Sequence, residues 1–360
     1  MENNISTILD SAVVPFVIAK SSKVVKEDSS TIEIVLSIDS PLNVALNNLI
    51  YSKIQSILLQ HNIHKELKIQ FKSQIIAHKI KKGLSRNQRI KNIIVVTSGK
   101  GGVGKSTVSY NLATTLVNLG AKVGLLDCDI YGPSIPRLCG EVNYKPAVED
   151  SLFVPLSKNN LQIMSFGFLI AENQPVIWRA SMVNKAIEQM LMDSKWDNLD
   201  YLVIDMPPGT GDIQLTMAQH LPITATVTIT TPQELSLVDV KKSIAMFAKL
   251  EIPNLGLVEN MSSHICSNCG HIEDIFGTNA LDKLHQENIE INLLGKLPLN
   301  IAFCDSASGG VAAVESNAEI ATLYQDIAIN ILSELSKLGK DFSSSLSKIN
   351  VKPTATFSGK

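Results

Sequence analysis

A short apolar run, Ile93 to Val96, passes directly into Thr97-Ser98-Gly99-Lys100-Gly101-Gly102-Val103-Gly104-Lys105-Ser106-Thr107. The β-branched run predicts a buried strand, the glycines a sharply bent turn, and the residues from Lys105 onward the start of a helix. Gly99 to Ser106 fit G-x-x-x-x-G-K-[ST], the pattern of a phosphate-binding loop. Such a loop lets backbone N–H groups converge on one anion, helped by the positive end of the helix dipole. Gly101, Gly102, Val103, Gly104 and Lys105 supply those N–H groups here, and Thr107 completes the nucleotide-binding set. The Lys105 ammonium is placed to reach β- and γ-phosphates, and the Ser106 hydroxyl to bind Mg²⁺. A strand–loop–helix of this kind belongs to an α/β protein that binds a nucleotide.

The loop holds a second lysine, Lys100. In this respect K-G-G-V-G-K-S resembles the deviant Walker A loop of the family that includes MinD, ParA, the arsenite-pump ATPase and the nitrogenase iron protein. The resemblance implies that Lys100 acts across a dimer interface on the partner's nucleotide, and hence an ATP-sandwiched homodimer. Without it, Lys100 reads as a solvated loop lysine.

At 360 residues the chain has room for one large α/β domain and a smaller one. A net charge of −2 argues against a general nucleic-acid binder. No apolar run reaches the roughly 18 residues of a membrane-spanning helix, and Met1-Glu2-Asn3-Asn4 lacks the basic start of a secretion signal. Of five cysteines only two are close together, so no disulfide framework is expected and a reducing cytoplasm fits.

Residues 1–85 read as a small α+β unit. Thr31 to Ile38 alternates like a strand, Val44 to Leu58 repeats at helical spacing, and Leu67 to Phe71 alternates again. The unit is either a docking module or a structural appendage. A basic stretch between Lys79 and Lys91 ends in a linker at 86–92, and a charge run of this kind is ordinarily solvated.

Residues 93–340 carry the nucleotide-binding domain. After the loop, Val108, Leu112, Leu116 and Leu119 share a helical face, with Gly120 as C-cap. Lys122 to Leu126 is a strand ending in Asp127-Cys128-Asp129. Carboxylates at a strand's C-terminal end beside a phosphate loop are placed to act on Mg²⁺ or water, although either aspartate also suits a turn or cap. The hydrophobic strand Tyr201 to Ile204 delivers Asp205 to the Mg²⁺ site, directly or through water. Pro207, Pro208, Gly209 and Gly211 then shape a switch. Ala225 to Thr230 is a strand, Ser236 to Leu250 a helix, and Gly256 to Val258 a strand leading to Glu259-Asn260-Met261. Residues 317–339 form an amphipathic helix with Ile320, Leu323, Ile327, Ile331 and Leu335 on one face, and residues 341–360 a disordered polar tail. Such alternation predicts a mostly parallel, doubly wound sheet.

The other chemical feature is Cys266-Ser267-Asn268-Cys269-Gly270-His271. Two thiolates at this spacing can share a metal centre, but a tetrahedral ion or a cubane cluster takes about four such ligands. A symmetric dimer would supply them. Structural zinc and a dithiol redox pair are the alternatives. His271 is an alternative ligand or a turn-stabilising histidine, and Cys128, Cys139 and Cys304 read as packing thiols.

Taken together, the loop, D-C-D-I-Y-G-P-S, Trp178-Arg179, L-D-Y-L-V-I-D-M-P-P-G-T-G-D, E-N-M-S and C-x-x-C-G-H resemble the Mrp (ApbC) family over about residues 90–335. Ala180-Ser181 departs from the Gly-Pro common in that family after Trp-Arg. The resemblance implies a slow ATPase homodimer with a [4Fe–4S] cluster bridged between subunits by Cys266 and Cys269. It also implies Asn260 at adenine, Asp129 orienting the attacking water, a MIP18-type N-terminal domain, and apo iron–sulfur proteins and scaffold proteins as partners, with no nucleic acid or membrane. Lys100, Lys105 and Asp129 are the expected catalytic residues. The rival readings are a zinc-stabilised regulatory ATPase and a MinD- or ParA-like spatial-organising ATPase, which would not need the cysteine pair.

Overall fold

The computed structural model describes residues 5, 8, 9, 14, 16–18, 22–170, 180–266 and 268–341. Trp178-Arg179 and the polar tail beyond Asp341 lie outside the described residues. Near the N-terminus, β1 (Lys23–Glu27), β2 (Thr31–Ile38), α1 (Val44–Gln60) and β3 (Glu66–Ser73) make a three-stranded sheet with one helix. Ile32, Ile34, Leu36 and Ile38 alternate into the core from β2. β2 runs parallel to β3, a pairing that needs a crossover, and α1 supplies it. The helix starts where the Asn43 side chain accepts the Ala45 N–H, and it buries Leu46, Ile50, Ile54 and Leu58.

The larger sheet begins with β4 (Ile90–Ser98), followed by α2 (Lys105–Asn118), β5 (Val123–Asp127) and the short α3 (Ile135–Leu138). A meander of β6 (Val148–Glu149), β7 (Leu152–Phe153), β8 (Leu156–Lys158) and β9 (Leu161–Ser165) leads into α4 (Phe166–Leu169) and α5 (Ala180–Met192). Then come β10 (Leu199–Asp205), α6 (Asp212–His220), β11 (Ala225–Thr230), α7 (Glu234–Lys249), β12 (Asn254–Ile265) and β13 (Ile272–Glu273). The chain closes with α8 (Ala280–Gln286), β14 (Leu293–Leu299), α9 (Ala302–Gly309), α10 (Ala313–Ser316) and α11 (Ala318–Ser336).

The strand order is β13-β12-β11-β4-β10-β5-β9-β8, with β14 also on β12. Pairings among β14, β12, β11, β4, β10, β5 and β9 are parallel, and only the short β8 and β13 run antiparallel to their neighbours. β5, β10 and β11 are buried at every position, because helices cover both faces. From β4 the chain crosses to β5 on one side, and the later connection from β10 to β11 passes back across β4 to the other. That is the switch point of a doubly wound sheet, where ligands bind beyond the strands' carboxyl ends. The parallel register sets Asp205 level with Val96 on one side and Asp127 on the other.

The two sheets share one continuous core, in which Leu46 and Ile50 belong with Leu112 and Leu116. At the joint, the Asn92 side chain accepts from the His78 N–H and ring Nδ1, both at 3.0 Å, and donates to the Ile76 carbonyl at 2.9 Å. His78 Nε2 and Lys340 Nζ stand 3.4 and 3.2 Å from Asp39 Oδ2. Within the basic stretch read as a solvated linker, Arg86 donates to the carbonyls of Lys91 and His78 and pairs with Asp341. Asn87 is buried and donates to the Leu191 carbonyl at 3.0 Å. Lys79, Lys82, Arg89 and Lys91 are exposed.

Candidate nucleotide site and cysteine turn

β4 ends at Ser98, and the loop that follows is shaped by its glycines. A Cβ on Gly99 would overlap the α7 backbone at Asp239 and Val240, so the loop can pass beneath that helix only without a side chain. Gly102 and Gly104 have φ of +80° and +83°, the left-handed region that glycine enters without strain. α2 starts at Lys105 with no side-chain cap, leaving its first N–H groups for an outside acceptor. Gly101 and Gly102 are exposed while Val103 is buried, so the loop is anchored at its centre and open at its crest.

Lys105 is buried, with Nζ 2.6 Å from Asp205 Oδ1. Ser106 Oγ donates to Asp205 Oδ2 at 2.5 Å, and Ser109 Oγ to Oδ1 at 2.8 Å. One carboxylate, wholly buried at the end of β10, thus gathers a cation and two hydroxyls. Ser109 was not foreseen, yet it lies one turn after Ser106 on α2, and that i, i+3 spacing was the available signal.

Asp127 is also fully buried. Its Oδ1 accepts the Asp129 N–H at 3.1 Å, and its Oδ2 accepts Ser165 Oγ at 2.8 Å and the Ile135 N–H at 3.3 Å. Burial, reinforced by the neighbouring Asp205 carboxylate, pushes its carboxyl up to about 7. Asp127 therefore pins both ends of the segment containing Asp129. Asp129 itself is half-buried, and its Oδ1 accepts the Tyr131 and Gly132 N–H groups, both at 3.3 Å. Burial raises its carboxyl, and it lies within electrostatic reach of Lys105 and Asp205. Ser106, Asp129 and Asp205 present only hard oxygen atoms, the donor set Mg²⁺ takes.

Lys100 stands apart from this cluster and donates to Gln233 Oε1 at 3.0 Å, just before α7. No sequence spacing pointed to Gln233. The Asn260 amide donates to the Val103 carbonyl at 2.8 Å, and a Cβ on Gly104 would overlap its Nδ2. Beside them a cavity of about 240 Å³ is lined by Gly104, Thr107, Asn260, Met261, Asn300 and Phe303, among others. Thr107, like Asn260, faces this cavity rather than the carboxylate cluster.

Cys266 and Cys269 lie where β12 turns into β13. His264 pairs with Glu273 and Ile265 with Ile272. The turn is closed by the Cys266 N–H to the His271 carbonyl and the Gly270 N–H to the Cys266 carbonyl, both at 2.9 Å, with Gly270 at φ +72°. The thiols are free, Cys266 half-buried and Cys269 exposed. Backbone N–H groups of Cys269 and Asn268 donate to the Cys266 sulfur and lower its thiol, favouring the thiolate a metal requires. Among the described residues no third His, Cys, Asp or Glu joins the pair. Cys128 and Cys139 are buried, as packing thiols are, but Cys304, read from the sequence as a third, is exposed on α9. No helix among the described residues is long and apolar enough to cross a membrane.

Comparison with known proteins bears on this site. The model of a family described as ParA, NUBPL iron-transfer P-loop NTPase, matches residues 89–332. The iron–sulfur cluster carrier protein of Escherichia coli K12 is 49% identical over 249 residues, 68% of this chain and 67% of that protein. The one from Haemophilus influenzae is 42% identical over 323 residues, 89% of this chain and 86% of that protein, a match that runs into the N-terminal unit. Among solved structures, a nucleotide-binding protein of Archaeoglobus fulgidus in complex with ADP is 35% identical. It has a TM-score of 0.58 and covers 66% of this chain and 94% of its own.

Proposed function

The chain is a member of the NUBPL iron-transfer P-loop NTPase family, and from that premise we propose that it is an ATP-dependent iron–sulfur cluster carrier. In this reading it binds MgATP, hydrolyses it slowly, holds a [4Fe–4S] cluster between two copies of itself and passes it to apoproteins in the cytoplasm. The observation that carries the reading is the presence, on one sheet, of a buried Lys105–Ser106–Asp205 cluster and an exposed turn with two free thiols. Neither alone specifies a carrier. A nucleotide-binding cluster and an accessible thiol pair carried by the same sheet together support that reading.

Backbone N–H groups from Gly101 to Lys105 bind the phosphates, and Lys105 neutralises charge on the β- and γ-phosphates. Ser106 would hold Mg²⁺ directly, with Asp205 and Asp129 reaching it directly or through water. The ion supplies charge neutralisation on the phosphate oxygens. Asp129 orients the attacking water, and Asp127 keeps Asp129 in place through its N–H. Asn260 and the adjoining cavity receive the adenine. Lys100, held by Gln233 within its own chain, acts on the partner's nucleotide when two chains close.

The cysteine turn of each chain presents two thiols, and a cubane cluster takes about four. Two turns meeting on a two-fold axis complete the set. An exposed pair suits cargo that must leave, because an incoming thiolate can reach the iron. The N-terminal unit, residues 1–85, is a docking module for client or scaffold proteins.

The reading is tested by transfer. Chain reconstituted without oxygen should restore activity to an apo [4Fe–4S] enzyme, and Cys266→Ala/Cys269→Ala should not. Equal restoration by the variant, or by the same amount of free iron and sulfide, would overturn it.

A further inference from the structure

Strand β12 touches both halves of this machinery. At Asn260 it is hydrogen-bonded to the Val103 carbonyl of the phosphate loop, 2.8 Å away. Four residues beyond, His264 opens the hairpin that carries the cysteine turn. Between these points the strand is irregular. Met261 has φ +55°, a left-handed conformation that residues other than glycine and asparagine rarely adopt. Pairing with β14 slips at the same place: Asn260 faces Leu297 and His264 faces Leu299, so β12 advances four residues while β14 advances two. Ser262, inside the slip, donates its hydroxyl to the Leu297 carbonyl at 3.1 Å.

We infer that the Asn260–Met261 step is a hinge through which the phosphate loop sets the geometry of the cysteine turn, with Met261 as its positioning residue. The inference deepens the proposed function and rests on it. When the loop aims its N–H groups at a phosphate, the peptide unit joining Val103 to Gly104 reorients, and its carbonyl carries the Asn260 amide with it. Gly104 lies directly against that amide, so the displacement is not absorbed by a gap. Met261 is the next residue and already occupies a disfavoured backbone well. A shift at Asn260 therefore biases it between the left-handed and extended conformations, and the second would re-register the strand that leads to Cys266.

Among the described residues, the segments after Asp129 and Asp205 show no comparable side-chain bond to β12. They follow β5 and β10, which β4 and β11 separate from β12 in the sheet. Strain alone at an exposed loop would carry little. Here it coincides with a register slip, a bond to the phosphate loop and the start of the thiol-bearing hairpin.

Hydrogen exchange on the full chain, with and without saturating MgATPγS, tests the hinge. Nucleotide should protect residues 99–107 and also change exchange over 262–273. Because the Met261 side chain also lines the cavity given to the adenine, each variant is compared at nucleotide saturating for that variant. Met261→Gly should then still protect 99–107 and lose most of the hairpin effect, since glycine populates both wells freely and tolerates φ +55° without unfolding. Met261→Asn, which also tolerates the left-handed region, should keep both effects. An unchanged hairpin in the wild type despite a protected loop, or a wild-type hairpin response in Met261→Gly, would overturn the inference. Absence of protection at 99–107 would instead sink the nucleotide-binding reading on which it rests.

Discussion

Asp205 draws Lys105, Ser106 and Ser109 onto a single carboxylate, whereas Asp129 accepts only backbone N–H groups in its own turn. The two aspartates should therefore fail differently. Asp129→Asn removes a base that would orient water and leaves the loop intact, so turnover should fall by about 10²- to 10⁴-fold while nucleotide affinity changes little. Measuring kcat beside nucleotide Kd checks this. A parallel loss of affinity would place Asp129 in binding instead. Gly104→Ala should both destabilise and disarm the loop. Its φ of +83° is strained for alanine, and its Cβ would overlap the Asn260 amide, a combined cost of about 1–3 kcal/mol that urea unfolding and nucleotide titration would report. These residues were legible because the phosphate-loop spacing encodes backbone geometry directly. Gln233 and Ser165 were not, since each meets its partner through the fold rather than along the chain.

Helix α11 illustrates how much of an element pattern alone reveals. Ile320, Ile327, Ile331 and Leu335 are buried as the helical repeat requires, whereas Leu323, expected on the same face, is only half-buried, and Tyr324, Ala328 and Leu332 widen the face instead. The face lies on β14, and a Cβ on Gly295 would strike the Ile327 side chain. Gly295→Ala should thus cost about 1–3 kcal/mol by overpacking, with partial recovery in Gly295→Ala/Ile327→Ala. A neutral single variant in urea unfolding would contradict that packing. Strands Thr31–Ile38 and Ala225–Thr230 fall where the sequence places them, because both alternate with period two and are rich in β-branched residues. β1 was missed because it is an exposed edge of mixed charge, and β12 was read short because Met261 and the polar residues after it break the period. The same irregularity supports the proposed hinge, so the strand was obscure in sequence where its backbone departs from regular geometry.

At the scale of the whole molecule, the N-terminal unit meets the larger sheet through buried His78, flanked by Asp39, Asn92, Lys340 and Arg86. Burial lowers the His78 imidazole below its ordinary value, and Asp39 only partly offsets this. In the window between the lowered folded value and 6.5, the unfolded chain binds more protons than the folded one. Stability should therefore be complete above about pH 6.5 and decline as pH falls through that window. Thermal unfolding at about pH 7.5 and 5.5 should show the loss, and His78→Gln should flatten it. An equal pH dependence in the variant would assign the effect to other groups. Cluster binding depends on the assembly, since the cysteine turn of one chain offers two thiols and a cubane cluster takes about four ligands. The most direct measurement is anaerobic reconstitution with iron and sulfide, with iron, sulfide and zinc counted per chain and mass measured in solution. The account predicts about four irons per pair of chains, a dimer in the loaded form, and loss of both in Cys266→Ala/Cys269→Ala. Zinc held by the same cysteines, with no iron taken up, would contradict it and leave a regulatory ATPase with a structural metal.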